Sequence, residues 1–224
     1  MTPPYLRPIA PTAPAAILCG DPARALAIAQ RVLVEPRMSN HHRGLWGYHG
    51  STATGQELSV QATGIGGPSA ALVLDLLAGR GLRRAIRIGS CRSTGRGRQL
   101  GSRLVASTVL GRDGASAAYG AEPEGRLAPD PALTKALLER CDGAVELISL
   151  DRPAPPSSAD DGAVYDLQSA ALLAAGAEVG VRVAVALVLS RDADGPLPDE
   201  PHEAAALRLA DVAADVLDLD SSSR

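Results

Sequence analysis

Ala85-Ile86-Arg87-Ile88-Gly89-Ser90-Cys91 sets an arginine inside an apolar run that ends in Gly-Ser. A short apolar run following a helical segment reads as a buried strand of an α/β sheet. Side chains alternate along a strand, so Arg87 points away from the face shared by Ile86 and Ile88. A buried guanidinium needs a partner. Two partners fit: an anion matched to the planar fork, such as phosphate or carboxylate, or a buried aspartate. Ligands of open α/β sheets bind outside the carboxyl ends of the strands, and Arg87 and Ser90 lie at such an end.

Around this strand the chain alternates strands and helices. Strands are expected at Ala15–Cys19, Leu45–Tyr48, Leu58–Thr63, Ala85–Gly89, Arg103–Leu110, Val145–Leu150 and Val181–Ser190. Helices are expected at Pro22–Arg31, Pro68–Ala78, Pro131–Cys141, Tyr165–Val179 and Pro201–Leu217. Asp21 suits an N-cap and Pro22 the first helical position. Residues 1–14 read as an extended proline-rich segment and 151–163 as a loop rich in Pro, Ser and Asp. The pattern predicts a single three-layer α/β/α domain with a central mixed sheet over residues 1–224.

Composition narrows the function classes. A net charge of −3 argues against a general nucleic-acid binder. Aromatics at 2% with no Phe leave few platforms for stacking single strands. Cys19, Cys91 and Cys141 are odd in number and lack metal spacing, which fits a reducing cytoplasm. No apolar run reaches the roughly 20 residues needed to span a bilayer. Prolines interrupt the N-terminus where a signal peptide would need an apolar core. The expectation is a cytoplasmic protein without a membrane partner.

Three further segments can carry chemistry. Gly20-Asp21-Pro22-Ala23-Arg24 follows a strand and opens a helix; with Asp21 capping, the Gly20 amide and Arg24 are the anion contacts. Gly64-Ile65-Gly66-Gly67-Pro68-Ser69 is a strand-to-helix turn whose backbone can approach a ligand closely. It is no dinucleotide fingerprint: the sixth position is serine, and the nearest acid, Asp75, lies inside the next helix. Ser190-Arg191-Asp192 ends the strongest apolar strand, and Asp192 can act as an acid or pair with Arg191. His41, His42 and His49 lack a ligand partner at metal spacing, so no metal is expected.

Together these segments resemble the nucleoside phosphorylase family of the purine-nucleoside and uridine type. They run in family order as Gly20–Arg24, His42-Arg43, Thr63–Ser69, Ile86–Cys91, Arg112-Asp113-Gly114-Ala115-Ser116 and Tyr165-Asp166-Leu167-Gln168-Ser169-Ala170-Ala171, then a helix, a strand and Ser190-Arg191. The wording of the Thr63–Ser69 and Arg112–Ser116 segments, with Arg191, leans towards uridine phosphorylases. The resemblance implies phosphate as co-substrate and no other cofactor, cleaving a nucleoside to free base and pentose 1-phosphate. It implies phosphate held by Gly20, Arg24, Arg87 and Ser90, with Arg43 arriving from a neighbouring subunit of a dimer or a hexamer built from dimers. It further implies that Tyr5, Ile65, Leu167, Gln168 and Arg191 line the nucleoside pocket. Arg87, Arg191 and Asp192 are the candidate catalytic residues.

The chain departs from the family pattern at several points. Leu167-Gln168 stands where the family has Met-Glu, whose glutamate accepts from the ribose hydroxyls. Arg92 replaces a usual glycine. Tyr5-Leu6 lacks the family's histidine. The segment 151–164 is short and lacks the residues that read a base in uridine phosphorylases.

Overall fold

The computed structural model describes residues 5–153 and 162–222. Apolar Ala15–Cys19 forms the fully buried strand β1. Asp21 then accepts from the Arg24 amide at 2.8 Å and starts helix α1, Pro22–Val32. Strand β2 (Val34–Asn40), a short 3-10 turn (His42–Gly44), and strands β3 (Gly47–Ser51) and β4 (Glu57–Ala62) precede helix α2 (Gly66–Ala78). Next come β5 (Arg84–Ser93), β6 (Arg103–Arg112), α3 (Gly114–Ala118), β7 (Arg126–Leu127), α4 (Pro131–Leu138), β8 (Gly143–Leu150) and β9 (Val164–Asp166). Helix α5 (Ser169–Val179), β10 (Arg182–Asp192), β11 (Gly195–Pro196) and α6 (Asp199–Ser222) complete the described order.

The strands form one mixed eleven-stranded sheet. Its helices make two outer layers. Ile17, Ile86, Ile88, Ala184, Ala186 and Val188 face α1, α4 and α6. Leu18, Ala85, Val183, Val185 and Leu187 face α2 and α5. This is the expected three-layer α/β/α architecture. One half of the sheet closes on itself: β5 pairs β10, which pairs β6, then β8, then β9, which returns to β5.

That closure creates an opening. β1 runs parallel to β5 only as far as Cys19 opposite Ile88. On the same edge β9 begins opposite Arg92. Between them Gly89, Ser90 and Cys91 pair only with β10. The backbone at the end of the Ile-Arg-Ile-Gly-Ser run therefore faces space rather than another strand.

Several expected boundaries differ. Tyr165 belongs to a strand, not to a helix, because Val164–Asp166 bridges β8 and β5; the alanine-rich helix starts only at Ser169. Strand β3 starts at Gly47 rather than Leu45, because Arg43 at φ 59° turns the chain first. Helix α4 stops at Leu138, three residues short of the expected Cys141. β2, β7, β9, β11 and α3 were not expected; β2 is a sheet-edge strand carrying Pro36 and charged residues. Most of the expected loop 151–163 lies outside the described residues, as do residues 1–4 of the expected extended segment.

Every residue of α5 from Ser169 to Gly176 is buried. A Cβ at Gly176 would lie 2.7 Å from Val183 Cγ2 and 2.8 Å from the Val181 carbonyl. Alanine would gain about 0.5–1 kcal/mol in helix propensity. It would also force α5 off β10, and overpacking costs about 1–3 kcal/mol. Gly176→Ala is therefore expected to lower the melting temperature in a circular-dichroism melt.

Candidate functional site

The opening beside Gly89 leads into a cavity of about 350 Å³. Four segments and Pro153 wall it: the turn Gly20–Arg24, the turn Gly64–Gly66, the end of β5 from Arg87 to Arg92, and Tyr165–Gln168. It lies at the carboxyl ends of β1, β4, β5 and β9, where an α/β sheet binds ligands.

Arg87 is 4% exposed and sits in mid-sheet between Leu18 and Val185. Its Nη2 donates to Asp166 Oδ2 at 2.8 Å, its Nη1 to Gln168 Oε1 at 2.6 Å and its Nε to Ser169 Oγ at 3.1 Å. One of the two partners the sequence left open, a buried aspartate, is present as Asp166. A guanidinium carries five N–H groups, so two remain without a partner among the described residues. Gly89 makes the pose possible: a Cβ there would lie 2.8 Å from Arg87 Nη2 and 2.9 Å from Cζ. The glycine two residues on lets the guanidinium lie back along its own strand.

Asp166 is held by more than the arginine. Its Oδ1 accepts from Ser149 Oγ at 2.5 Å, and its Oδ2 from Ser169 Oγ at 2.7 Å and from the amides of Ser169 and Gln168 at 3.1 and 3.2 Å. Those amides open α5, so the carboxylate also meets the positive end of a helix. Gln168 ties the same end to the glycine turn. Its Nε2 donates to the carbonyls of Gly64 at 2.7 Å and Gly66 at 3.3 Å.

Arg24 reaches the cavity from α1, and its Nη2 pairs with Glu203 Oε1 of α6 at 2.9 Å. Its Nε is buried without a hydrogen-bond partner among the described residues. Burial, with Arg24 nearby as the second cause, pushes the neighbouring His202 below the usual histidine range. Gly20 lets the walls approach, since a Cβ there would meet the Gly64 carbonyl at 3.2 Å. Ser90 faces the cavity, and Arg92 stands exposed at its mouth with Nη1 3.4 Å from the Pro153 carbonyl. Ile65, 88% exposed, and Leu167 supply apolar wall. Cys19, next to Gly20 in the chain, is fully buried, and burial pushes its thiol up to about 12. Among the described residues no group of three His, Cys, Asp or Glu is placed to hold a metal ion.

The cavity thus gathers Gly20, Arg24, Ile65, Arg87, Ser90, Leu167 and Gln168 from the sequence-predicted set. It does not include Tyr5, Arg43, Arg191 or Asp192. Arg43 lies on the 3-10 turn with its guanidinium 5.7 Å from the Tyr5 ring centre. Arg191 is exposed, beyond a register shift in β10. Asp192 is buried, and its Oδ1 accepts from the amides of Asp194 and Gly195 at 2.9 and 3.2 Å, closing the turn into β11. Sequence reasoning missed Asp166 and Ser169 as the partners of Arg87. An acid placed just before a buried helix was the available signal.

Residues 14–156 match the family model described as the phosphorylase superfamily. The chain belongs to that superfamily. The match spans the segments of Gly20, Arg24, Arg43, Arg87 and Ser90. Among individual relatives, the chain is 43% identical over 76 residues to a purine nucleoside phosphorylase of DeoD type from Oceanobacillus iheyensis, covering 34% of this chain and 32% of the relative. Proteins of the same name from Caldanaerobacter subterraneus and Clostridium novyi are each 41% identical over 78 residues, covering 34% of this chain and 33% of the relative. The matched stretch therefore spans about a third of these relatives' length.

Removing one partner of a buried ion pair costs about 3–5 kcal/mol. Arg87→Ala is expected to destabilise the superfamily fold by that order, because it strands Asp166 in the interior. Arg43→Ala, on a surface turn, is expected to change stability by no more than about 0.5 kcal/mol. Denaturant unfolding of the two variants checks the contrast.

Proposed function

We propose that the protein cleaves the N-glycosidic bond of a nucleoside or modified nucleoside with phosphate, giving free base and a pentose 1-phosphate. The observation that supports it best is the convergence of Gly20, Arg24, Arg87 and Ser90 from three separate segments on one cavity. The two partnerless N–H groups of Arg87, the buried Nε of Arg24 and the Ser90 hydroxyl are donors suited to phosphate oxygens. A dianion gripped this way is oriented towards the anomeric carbon of an oxocarbenium-like sugar. The phosphate oxygen–carbon bond forms as the glycosidic bond breaks. The bonding pair leaves on the base nitrogen, which takes up a proton.

Ile65, Leu167 and Gln168 then border the sugar and base. Arg191 and Asp192 receive no step in this reading, since neither lines the cavity. Arg43 and Tyr5 lie apart from the cavity of their own chain, so their service to a site requires a second copy. We accordingly propose a homodimer, or a hexamer built from dimers, with Arg43 and Tyr5 supplied across the interface. The three free cysteines support a reducing, cytoplasmic setting.

A second reading is a catalytically weak relative that binds a ligand without turning it over. The pairing of Arg87 with Asp166 favours it, because that carboxylate offsets the charge offered to phosphate.

A panel of purine and pyrimidine nucleosides, incubated with and without phosphate, separates the two. Phosphorolysis is expected to release base from at least one member only when phosphate is present. Phosphate that raises the melting temperature without any base release would favour the second reading. Phosphate that neither raises the melt nor supports release would overturn both. Light scattering at micromolar concentration is expected to give a dimer or larger; a monomer would refute the shared site.

A further inference from the structure

Between Asp75 and Asp113 the chain carries arginines and no acidic residue. Distant carboxylates balance several of them: Asp220 pairs with Arg84, Asp166 with Arg87, Asp194 with Arg96 and Asp142 with Arg103. Arg92 has no such partner among the described residues, and its hydrogen bond to the Pro153 carbonyl is long at 3.4 Å. It stands on β5 with a neighbour in register on each side, Arg191 of β10 and Tyr165 of β9. Arg191 is exposed and likewise has no carboxylate partner among the described residues. Like charges opposite each other on neighbouring strands repel. Asp192, next to Arg191 in the chain, is committed to the amides of Asp194 and Gly195.

Tyr165 adds a donor at the same place. Residues directly opposite share a sheet face, so its ring lies on the face of Arg92, and both line the cavity. Its hydroxyl makes no hydrogen bond among the described residues. Ser90 lies on that face two residues earlier, about 6–7 Å back along the strand. The wall thus offers donors at two levels along β5. The inner level holds Ser90 with the N–H groups of Arg24 and Arg87, which the phosphorolysis reading gives to phosphate. The outer level holds the Arg92 guanidinium and the Tyr165 hydroxyl, with the charge of Arg191 one strand away. With phosphate at the inner level, the outer donors meet the nucleoside. An uncharged nucleoside leaves both arginine charges unbalanced, whereas an acid group on it balances them and takes charge-assisted hydrogen bonds.

We infer that the mouth of the cavity is a second anion subsite, built by Arg92 and Tyr165 beside Arg191, and that the substrate is a nucleoside carrying an acid group of its own, a phosphate on its sugar or a carboxylate on its base. The inference rests on the phosphorolysis reading for its reaction and on the two unbalanced arginines for its direction. Arg191 does not line the cavity and acts through its charge alone.

The test compares kcat/KM, in saturating inorganic phosphate, within pairs that differ by added acid groups. Uridine 5′-monophosphate against uridine and inosine 5′-monophosphate against inosine probe the sugar. Uridine with a carboxylate on its base against uridine, and succinyladenosine against adenosine, probe the base. In one of these two arms wild type is expected to favour the acid member by about tenfold or more, the low end for a hydrogen bond to a charged group. Arg92→Ala is expected to bring that ratio to parity, Arg92→Lys to keep part of it, and Arg191→Ala to lower it by less than Arg92→Ala does. Both arginines are exposed, so the variants are expected to melt as wild type does. Parity, or preference for the uncharged member, in both arms would overturn the inference while leaving phosphorolysis standing. So would a preference that survives Arg92→Ala. An Arg92→Ala variant that loses both members of a pair equally overturns it too, since Arg92 then serves the inorganic phosphate. Should no nucleoside be cleaved, phosphorolysis falls, and calorimetric binding of the same pairs to wild type and Arg92→Ala decides the inference: tighter binding of an acid member that Arg92→Ala abolishes supports it, while equal or absent binding, or a preference that Arg92→Ala leaves intact, overturns it.

Discussion

The cavity hangs on one buried charge. Arg87 sits on the middle strand β5 with hydrophobic neighbours on both sides in register, Leu18 and Val185. A guanidinium there demands several well-placed acceptors. Asp166, Gln168 and Ser169 supply them from the end of β9 and the start of α5. Gln168 carries the constraint onward to the Gly64–Gly66 turn, and Asp166 to Ser149 on β8. One side chain thus fixes the relative positions of β5, β8, α5 and the turn before α2. A buried ion pair is weak evidence of net stability, since an apolar substitute often does as well. Its meaning here lies in geometry: it holds two N–H groups of Arg87 at a fixed place on the cavity wall.

The sheet makes room for that wall by changing partners along β5. A parallel neighbour covers the strand up to Ile88, and an antiparallel one takes over at Arg92. The uncovered interval holds Gly89 and Ser90. Gly89 clears the space that the Arg87 guanidinium occupies, and Ser90 turns towards the cavity. The same four residues, Arg87 to Ser90, therefore carry the buried charge, the clearance it needs and the exposed backbone edge.

The parts of this arrangement legible in the sequence are those with local causes. The apolar runs at β1, β5 and β10 declare buried strands, and Asp21-Pro22 declares the start of α1. Arg87, Arg24, Gly20 and Ser90 stand out because a charge or a glycine interrupts an apolar pattern. What stayed hidden depends on long-range pairing. Val164–Asp166 is only three residues long and runs into an alanine-rich stretch, so helical propensity masks the strand. Its role follows from β8 and β5, which lie 14 or more residues away at their nearest ends. Asp192 misled in the other direction. Asp192-Ala193-Asp194-Gly195 carries the local signature of an Asx turn, and a side chain that closes its own turn has less to offer a distant site.

The three arginines of the wall divide the work by how firmly they are held. Arg24 is paired with Glu203, whose side chain is 49% exposed. An ion pair that open to water contributes about 0.2–1 kcal/mol, so a doubly charged ligand can take the guanidinium over from the carboxylate. Arg87 cannot be taken over in the same way, because Asp166 is fully buried and bound by four other groups besides. Under the proposed phosphorolysis, an incoming anion would meet one donor group that is already in place and one that is released to it. The positive charge available to the anion is that of Arg24 and Arg92, with Arg87 contributing directed N–H groups whose charge Asp166 largely balances. For the proposed phosphate co-substrate such a wall would separate orientation from attraction: the rigid arginine would fix where the oxygens sit, and the looser two would supply the field that draws them in.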